Sequence, residues 1–318
     1  MLDRICVLVN YDGSLRLKGG CPDVSLMKKF CNSFYKPTTQ VIKHDFLIPF
    51  NSFLGINSAD QYEKTGVQIQ ALNNKKIFPL YGVWPPTQQH YYKLLEDFIA
   101  SSRNLLATPR NIIDIGCGTG VLGLIFNQKS DNSLVYALDK NEDAVKCSRL
   151  NSQIIDVAER YNAQCFDFVS NSLEEQSKQF DQWHFPQKYD IIVSNPPWIN
   201  AQPLSSQHSL DNGVYDYKEQ FLINLFEFSK QRLNVIPKKS KQGRLLLLYS
   251  DLGEIMGLQE ENRIQKLCSQ YNLYINNQFE TPLISDLEKN RKIQQKIDPL
   301  LSFKIRSKAI LYEITRFQ

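Results

Sequence analysis

No stretch of this 318-residue sequence approaches the ~20 consecutive apolar residues that a helix needs to cross a bilayer, which excludes a membrane-spanning helix. Histidine is scarce. The four that occur, at 44, 90, 184 and 208, are scattered rather than clustered, so no metal site is expected. The seven cysteines are odd in number and contain no C-x-x-C. The opening "MLDRICVLVNYDG" lacks the basic start and long apolar run of a secretory signal, so free thiols and a cytoplasmic location are expected. A strong excess of either charge is missing too. A net charge of +4 with no clustered basic run permits a polyanionic substrate without indicating one. Internal repeats are absent.

The chain is long enough for one large domain with an accessory lobe. Residues 1–78 mix short apolar runs ("ICVLV", "FLIPF", "VQIQAL") with Gly, Pro and Asn, and read as a small N-terminal lobe of unassigned fold with a suspected part in substrate recognition. From 79 to 318 the pattern is regular. "PPTQQHYYKLLEDFIASS" reads as a helix, with Pro85 and Pro86 at its start and Tyr91, Leu94, Leu95 and Phe98 as its apolar stripe. "NIIDI" leads to the helix "GVLGLIF", and "SLVYALD" leads to "NEDAVKCSRLN", for which Asn141 is a candidate N-cap. "NAQCFDF", "YDIIVSN" and "GRLLLLYS" are further strands, with the helices "KEQFLINLFEFSKQRL" and "EENRIQKLCSQ" interspersed. "NLYINNQFE" and "AILYEITRF" alternate like antiparallel strands. The polar stretch "SNSLEEQSKQFDQWHFPQ" reads as a solvated surface excursion. The expected fold class is α/β: a doubly wound, Rossmann-like sheet of seven strands, its last strand antiparallel.

"DIGCGTGVLG" lies between the first of these strands and its helix. Gly116, Gly118 and Gly120 allow a sharp turn that brings backbone N–H groups to a ligand at a helix N-terminus. "GTGVLG" also fits the dinucleotide fingerprint G-x-G-x-x-G, so the turn alone does not name the ligand. Asp139 ends the next strand, where an acid can accept hydrogen bonds from both ribose hydroxyls of a nucleoside. Asp167, after the third strand, could face an adenine amino group. Asp114 stands just ahead of the glycines, where dinucleotide binders carry an apolar residue.

"IIDIGCGTGVLG", "ALDKNEDAVKCSRLN" and "DIIVSNPPW", in this order and spacing, resemble the class I S-adenosylmethionine-dependent methyltransferases, in particular the branch with an [N/D]-P-P-[Y/F/W] motif. The resemblance covers about residues 79 to 255. It implies S-adenosyl-L-methionine as cofactor, held by Asp114, Gly116, Gly118, Gly120, Asp139 and Asp167.

It also gives "NPPW" a chemical purpose. An amide or exocyclic amino nitrogen is a poor nucleophile because its lone pair is delocalised, and two acceptors gripping its N–H bonds can orient it for in-line transfer. Asn195 offers a side-chain carbonyl and Pro196 a peptide carbonyl, which the Pro196–Pro197 pair holds in a fixed direction. Trp198 offers a flat face for a planar group. The expected activity is therefore N-methyl transfer to a planar amide or amino nitrogen of a macromolecule, protein glutamine or nucleobase. A small-molecule acceptor and a non-catalytic partner subunit remain alternatives.

Among branches, release-factor glutamine methyltransferases carry a helical N-terminal lobe that the strand-like first 75 residues do not resemble. "YGVWPPT" is similar to the "PGVFS" element of the ribosomal-RNA guanine methyltransferases, with Trp84 and Pro85 departing from it. "YGVWPP", "NPPWI", "HSLDNGVYD", "SDLGEIMGL" and "IDPLL" are most similar to a bacterial release-factor-methylase-like group. That likeness makes His208, Tyr215 and Asp216 candidates for contact with a protein, RNA or DNA substrate. Ser250 and Asp251 point to the same rim.

Overall fold

The structure, a computed structural model, describes residues 5–10, 14–15, 27, 45–102, 105–202, 213–235, 242–284 and 301–316. Near the N-terminus β1 (Cys6–Val9) pairs antiparallel with β2 (Phe46–Pro49), and α1 (Phe50–Thr65) follows directly. Val7, Val9, Met27 and Ile48 pack with Phe53 and Ile56 of α1 in a cluster of their own. Sequence reading did not foresee α1. Asn51, Ser52, Gly55, Asn57 and Ser58 are weak helix formers, and the helix depends on burying one short stripe. Beyond it, β3 (Val67–Ile69) and β4 (Lys75–Ile77) form a hairpin that turns through Asn73 and Asn74, both left-handed at φ 56° and 60°. Asn tolerates that conformation better than most residues. Ile69, Leu72 and Ile77 are fully buried, and they join the large core under the main sheet instead of the β1–β2 cluster.

The main body then alternates. α2 (Gln89–Ser101) begins beyond the two prolines and buries Tyr91, Leu95, Phe98 and Ile99. It is followed by β5 (Asn111–Ile115), α3 (Val121–Lys129), β6 (Leu134–Asp139), α4 (Glu142–Ile154), β7 (Tyr161–Cys165), α5 (Leu173–Gln182) and β8 (Ile191–Ser194). Next come α6 (Gln220–Arg232), β9 (Arg244–Ser250), α7 (Leu252–Ile255), α8 (Arg263–Tyr271), β10 (Leu273–Pro282), α9 (Leu301–Arg306) and β11 (Lys308–Arg316). The seven strands from β5 onward stand in the order β10-β11-β9-β8-β5-β6-β7. Neighbours are parallel from β9 through to β7, while β11 lies between β9 and β10 and runs antiparallel to both. This is the expected doubly wound α/β sheet of seven strands, with the last strand reversed.

Strand side chains alternate between faces, and both faces are covered. Ile112, Val135, Ile191, Val193, Leu246 and Leu248 face the core built with α2, α3 and α4. Ile113, Leu138, Ile192, Leu245 and Leu247 face a second core with Phe180 of α5, Leu222, Leu225, Phe226 and Phe228 of α6, and Ile264 and Leu267 of α8. That two-sided burial explains the uninterrupted apolar run of "RLLLLYS".

The polar stretch expected to be a solvated excursion is corrected by α5. Ser172 accepts from the Glu175 backbone N–H, and the Glu175 carboxylate accepts from the Ser172 N–H at 2.8 Å, a reciprocal cap. Phe180 is fully buried beneath it. Among the described residues, no helix is long and apolar enough to cross a membrane.

The hairpin's burial in the main core makes a prediction. Leu72→Ala should lower global stability by about 2–5 kcal/mol in urea denaturation, in the same transition that melts the sheet. A loss confined to a separate early transition would mean that the hairpin belongs energetically to the N-terminal cluster.

Candidate active site

The carboxyl ends of β5, β6 and β8 finish level with one another: Ile115 pairs with Leu138 on one side and with Ser194 on the other. The loops leaving these ends open on a cavity of about 800 Å³, a volume suited to a nucleoside-sized ligand. Gly116, Gly118, Asp139, Asp167, Asn195, Pro196, Pro197, Tyr215 and Asp216 all line it. Residues separated by up to a hundred positions in the sequence are thus brought to one wall.

The glycine turn is built for closeness. Gly116, Gly118 and Gly120 have φ of 74°, 53° and 87°. At Gly120 an added Cβ would stand 2.9 Å from the Tyr161 hydroxyl and 3.0 Å from Ser148 Cβ, so the left-handed conformation and the packing both require glycine. At Gly118 a Cβ would meet nothing within 4 Å, because that position faces open space.

The expectation that the turn's N–H groups point at a ligand needs amending. Gly116 and Cys117 donate to Leu138 O, at 2.8 and 3.0 Å, and Gly120 donates to Cys117 O at 2.8 Å. Gly118 donates to Asp139 Oδ2 at 2.9 Å. The turn therefore satisfies these donors internally and presents a shape more than a row of free amides.

Asp139 is the brace of this arrangement. Its Oδ2 takes Gly118 N–H and its Oδ1 takes Asn141 N–H, both at 2.9 Å, and the residue lines the cavity. Burial raises its pKa, opposed by the bonds from Asn141 and Gly118. Asn141 is the N-cap of α4 as expected, accepting from Asp143 N–H at 3.0 Å. Its amide nitrogen also donates to Gly82 O, which ties the "YGVWPP" element to the site.

Asp114 sits behind the wall, fully buried. Its Oδ2 accepts from Gly123 N–H at 2.9 Å, while its Oδ1 has no partner among the described residues. Burial, opposed by the Gly123 bond and reinforced by the Asp139 charge, pushes its pKa up to about 7.

Asp167 lies past the end of β7 and holds its own turn, accepting from Val169 N–H at 3.0 Å and from the Ser170 hydroxyl at 2.7 Å. Burial alone would raise its pKa, but these bonds outweigh it and hold the group below the ordinary carboxylate value.

In the tetrapeptide, Asn195, Pro196 and Pro197 line the cavity, whereas Trp198 does not. Its ring lies edge-on to Tyr91, with centroids 5.3 Å apart, and packs against both cores. The stacking face expected of Trp198 is thus not part of the cavity lining, and its indole Nε1 donates to Asn195 Oδ1 at 3.0 Å. Aromatic rings that do line the cavity include Trp84, Tyr92, Tyr215, Tyr217 and Phe221, and Trp84 is 56% exposed. Sequence reading did not single out Tyr92 or Phe221. Both lie on helices whose apolar pattern reads as core.

Tyr215 is held by a bridge to Ile199. Asp216 caps α6, its carboxylate accepting from Phe221 and Leu222 N–H at 2.9 and 3.0 Å, with its pKa raised by burial. His208 lies outside the described residues. Ser250 and Asp251 do not line the cavity. The Ser250 hydroxyl donates to Lys308 O at 2.8 Å and Asp251 accepts from Lys308 N–H at 2.7 Å, so they fasten β9 to β11. Among the described residues no cluster of three or more His, Cys, Asp or Glu could hold a metal ion.

Residues 93–209 match the family model described as "Methyltransferase small domain". The methyltransferase resemblance is borne out over this span, which holds both the glycine turn and the tetrapeptide. The "tRNA1(Val) (adenine(37)-N6)-methyltransferase" of Christiangramia forsetii is 28% identical over 171 residues, covering 53% of this chain and 61% of the relative. The "Release factor glutamine methyltransferase" of Fusobacterium nucleatum subsp. nucleatum is 32% identical over 123 residues, covering 34% of this chain and 31% of the relative. A tRNA1(Val) (adenine(37)-N6)-methyltransferase of Porphyromonas gingivalis is 30% identical over 140 residues, covering 44% and 49%. The chain thus spans between 31% and 61% of the length of these relatives.

Asp114 supplies a pH prediction. Its carboxyl keeps a proton in the folded state up to about 7, against an ordinary value of 3.8, so folding takes up a proton between those values. Stability from this group is full below about pH 4 and declines as pH rises to about 7, where it levels off. The Asn variant cannot titrate. In urea denaturation, wild type should therefore lose stability relative to Asp114→Asn across that window and no further above it. A difference constant from pH 4 to 8 would place the ionised carboxylate in the folded protein.

Proposed function

We propose that this chain is an S-adenosylmethionine-dependent N-methyltransferase acting on a planar amide or amino nitrogen of a macromolecule. One observation carries the reading: the glycine turn braced by Asp139 and the Asn195-Pro196-Pro197 segment face the same cavity. The cavity's donor set fits the cofactor. Asp139 lines the cavity with an acceptor carboxylate suited to ribose hydroxyls, Gly118 leaves open space at the turn, and the buried Asp114 Oδ1 has no partner among the described residues. Asp167 fits less directly, since its carboxylate already serves Val169 and Ser170.

When bound, the cofactor supplies an electrophilic methyl group on a sulfonium centre. The chain's own work is then positioning. Asn195 Oδ1 and the Pro196 carbonyl are assigned to accept the two N–H bonds of the incoming nitrogen, turning its lone pair toward the methyl. No strong base is assigned, since the nitrogen's proton becomes acidic after transfer and can leave to solvent. Tyr215 and Asp216, on the same wall, are assigned to the acceptor's side, with His208 retained as a candidate from the sequence.

The relatives are named for an adenine of tRNA and a glutamine of a release factor. The two share one feature, an NH₂ on a planar carbon, and this supports a macromolecular acceptor. A protein or nucleic-acid partner is proposed on that basis. Residues 1–78 are proposed as the accessory lobe that recognises it and 79–318 as the methyltransferase domain, although the packing of 67–77 would set the independent part of the lobe nearer Thr65.

Asn195→Ala should reduce transfer by a factor of ~100 to ~1,000 with S-adenosylhomocysteine affinity retained, whereas Asp139→Ala should weaken that affinity first. Calorimetry alongside a radiolabel assay separates the two, and equal loss of affinity in both variants would refute the division of labour. The acceptor class is read by incubating the enzyme with labelled cofactor and lysate. Label released by nuclease alone identifies a nucleobase, and label released by protease alone an amide side chain. Label of low mass before either treatment would overturn the macromolecular assignment.

A further inference from the structure

The tetrapeptide's tryptophan bonds to the residue assigned to grip the acceptor, and this has a chemical consequence. A carboxamide is nearly symmetric in shape, with oxygen and NH₂ almost interchangeable sterically and opposite in hydrogen-bonding sense. If Asn195 turned its NH₂ toward the acceptor nitrogen, two donors would face each other and the grip would fail. The side chain therefore needs a device that selects one orientation. The Trp198 Nε1–H, 3.0 Å from Asn195 Oδ1, is a donor and only a donor. A flip of the amide would set two N–H groups against each other.

The indole is itself well anchored. Tyr91 packs edge-on against it, and the Tyr91 hydroxyl and His90 Nε2 both reach Leu283 O, at 3.4 and 3.1 Å. From the other side, Gly253 of α7 comes so close that a Cβ there would lie 2.9 Å from the Trp198 carbonyl oxygen. The following residue, Ile199, is fastened to Val214 O at 3.1 Å. Backbone and ring are thus held together, and the N–H direction with them.

We propose that Trp198 is a positioning residue. Its indole N–H occupies one lone pair of Asn195 Oδ1 and so fixes the carboxamide with its oxygen available to the acceptor nitrogen. The aromatic residue acts through Asn195 and does not stack on the acceptor. This rests on the N-methyltransferase reading for its kinetic consequence, though not for the existence of the bond.

Two measurements test it together. In NMR of the isotopically labelled protein, Trp198→Phe identifies the Trp198 indole N–H resonance by its disappearance. Asn195→Ala should then shift that resonance and speed its exchange with solvent, and no change would refute the bond whatever the enzyme methylates. In kinetics, Trp198→Phe keeps a ring of similar shape and loses the donor. It should lower kcat by roughly tenfold, the value of one hydrogen bond, with acceptor KM and S-adenosylhomocysteine affinity little altered. In an Asn195→Asp background the carboxylate shows an oxygen whichever way it turns, so the same change should cost within about twofold. A tenfold loss in both backgrounds would make Trp198 a packing residue. A raised acceptor KM in both would restore stacking, and a higher kcat in Trp198→Phe would mean that the indole blocks Asn195. Each of these overturns the proposal. If wild type methylates no nitrogen at all, the function falls, and the NMR result still decides whether the amide is held.

Discussion

Everything at the candidate site depends on parallel register. Ile115 stands opposite Leu138 and Ser194, and Asp139 opposite Cys165, so the four loops after β5, β6, β7 and β8 leave the sheet at nearly one height. The Ser194 hydroxyl reinforces this by donating to Ile115 O at 2.7 Å, in the buried interior and at the last paired residue of each strand. A slip of one residue would turn every side chain of β8 to the opposite core and lower the Asn195 loop relative to the glycine turn. Because both sheet faces are covered, such a slip would expose the apolar pattern of two layers at once. The hydrophobic cores thus enforce the geometry that a polar site requires.

The site's electrostatics follow from the same burial. Asp114, Asp139 and Asp216 are all carboxyls whose pKa values rise because they sit in or behind the cavity wall, and each is partly compensated by backbone N–H donors. Asp167, at the mouth, is held down by its own turn. The acids are therefore graded from the interior outward. The cavity's negative character resides in fixed, hydrogen-bonded groups, with Lys140 also on its lining.

Much of this was legible in the residues. Continuous apolar runs gave the buried strands, alternating ones gave the antiparallel end, and Asn141 announced its helix. What was not legible has physical reasons. α5 was overlooked because its polar face dominates the composition, although Ser172 and Glu175 already carry the spacing of a reciprocal cap. α1 has no such signature, and its apolar stripe is covered by β2 directly before it and by β1, far away in sequence. The side of the chain on which Trp198 lies cannot be read from "NPPW", since an indole serves equally as a face or as a donor. The glycine turn invited the idea of free amides, but the carbonyl of Leu138 and the carboxylate of Asp139 had already taken them.

The placement of β11 between β9 and β10 reaches beyond the finished structure. Among the described residues β10 pairs with β11 alone, and β9 keeps an open edge on the same side until β11 fills the gap. During synthesis the sheet therefore waits for residues 308–316 before its third and fourth layers of pairing on that flank can close. Until then β9, paired with β8 on one side only, presents an open apolar edge of the kind that recruits other chains. Between translation of β9 and translation of β11 that edge has no cover from β11, and truncation before β11 would leave it open permanently.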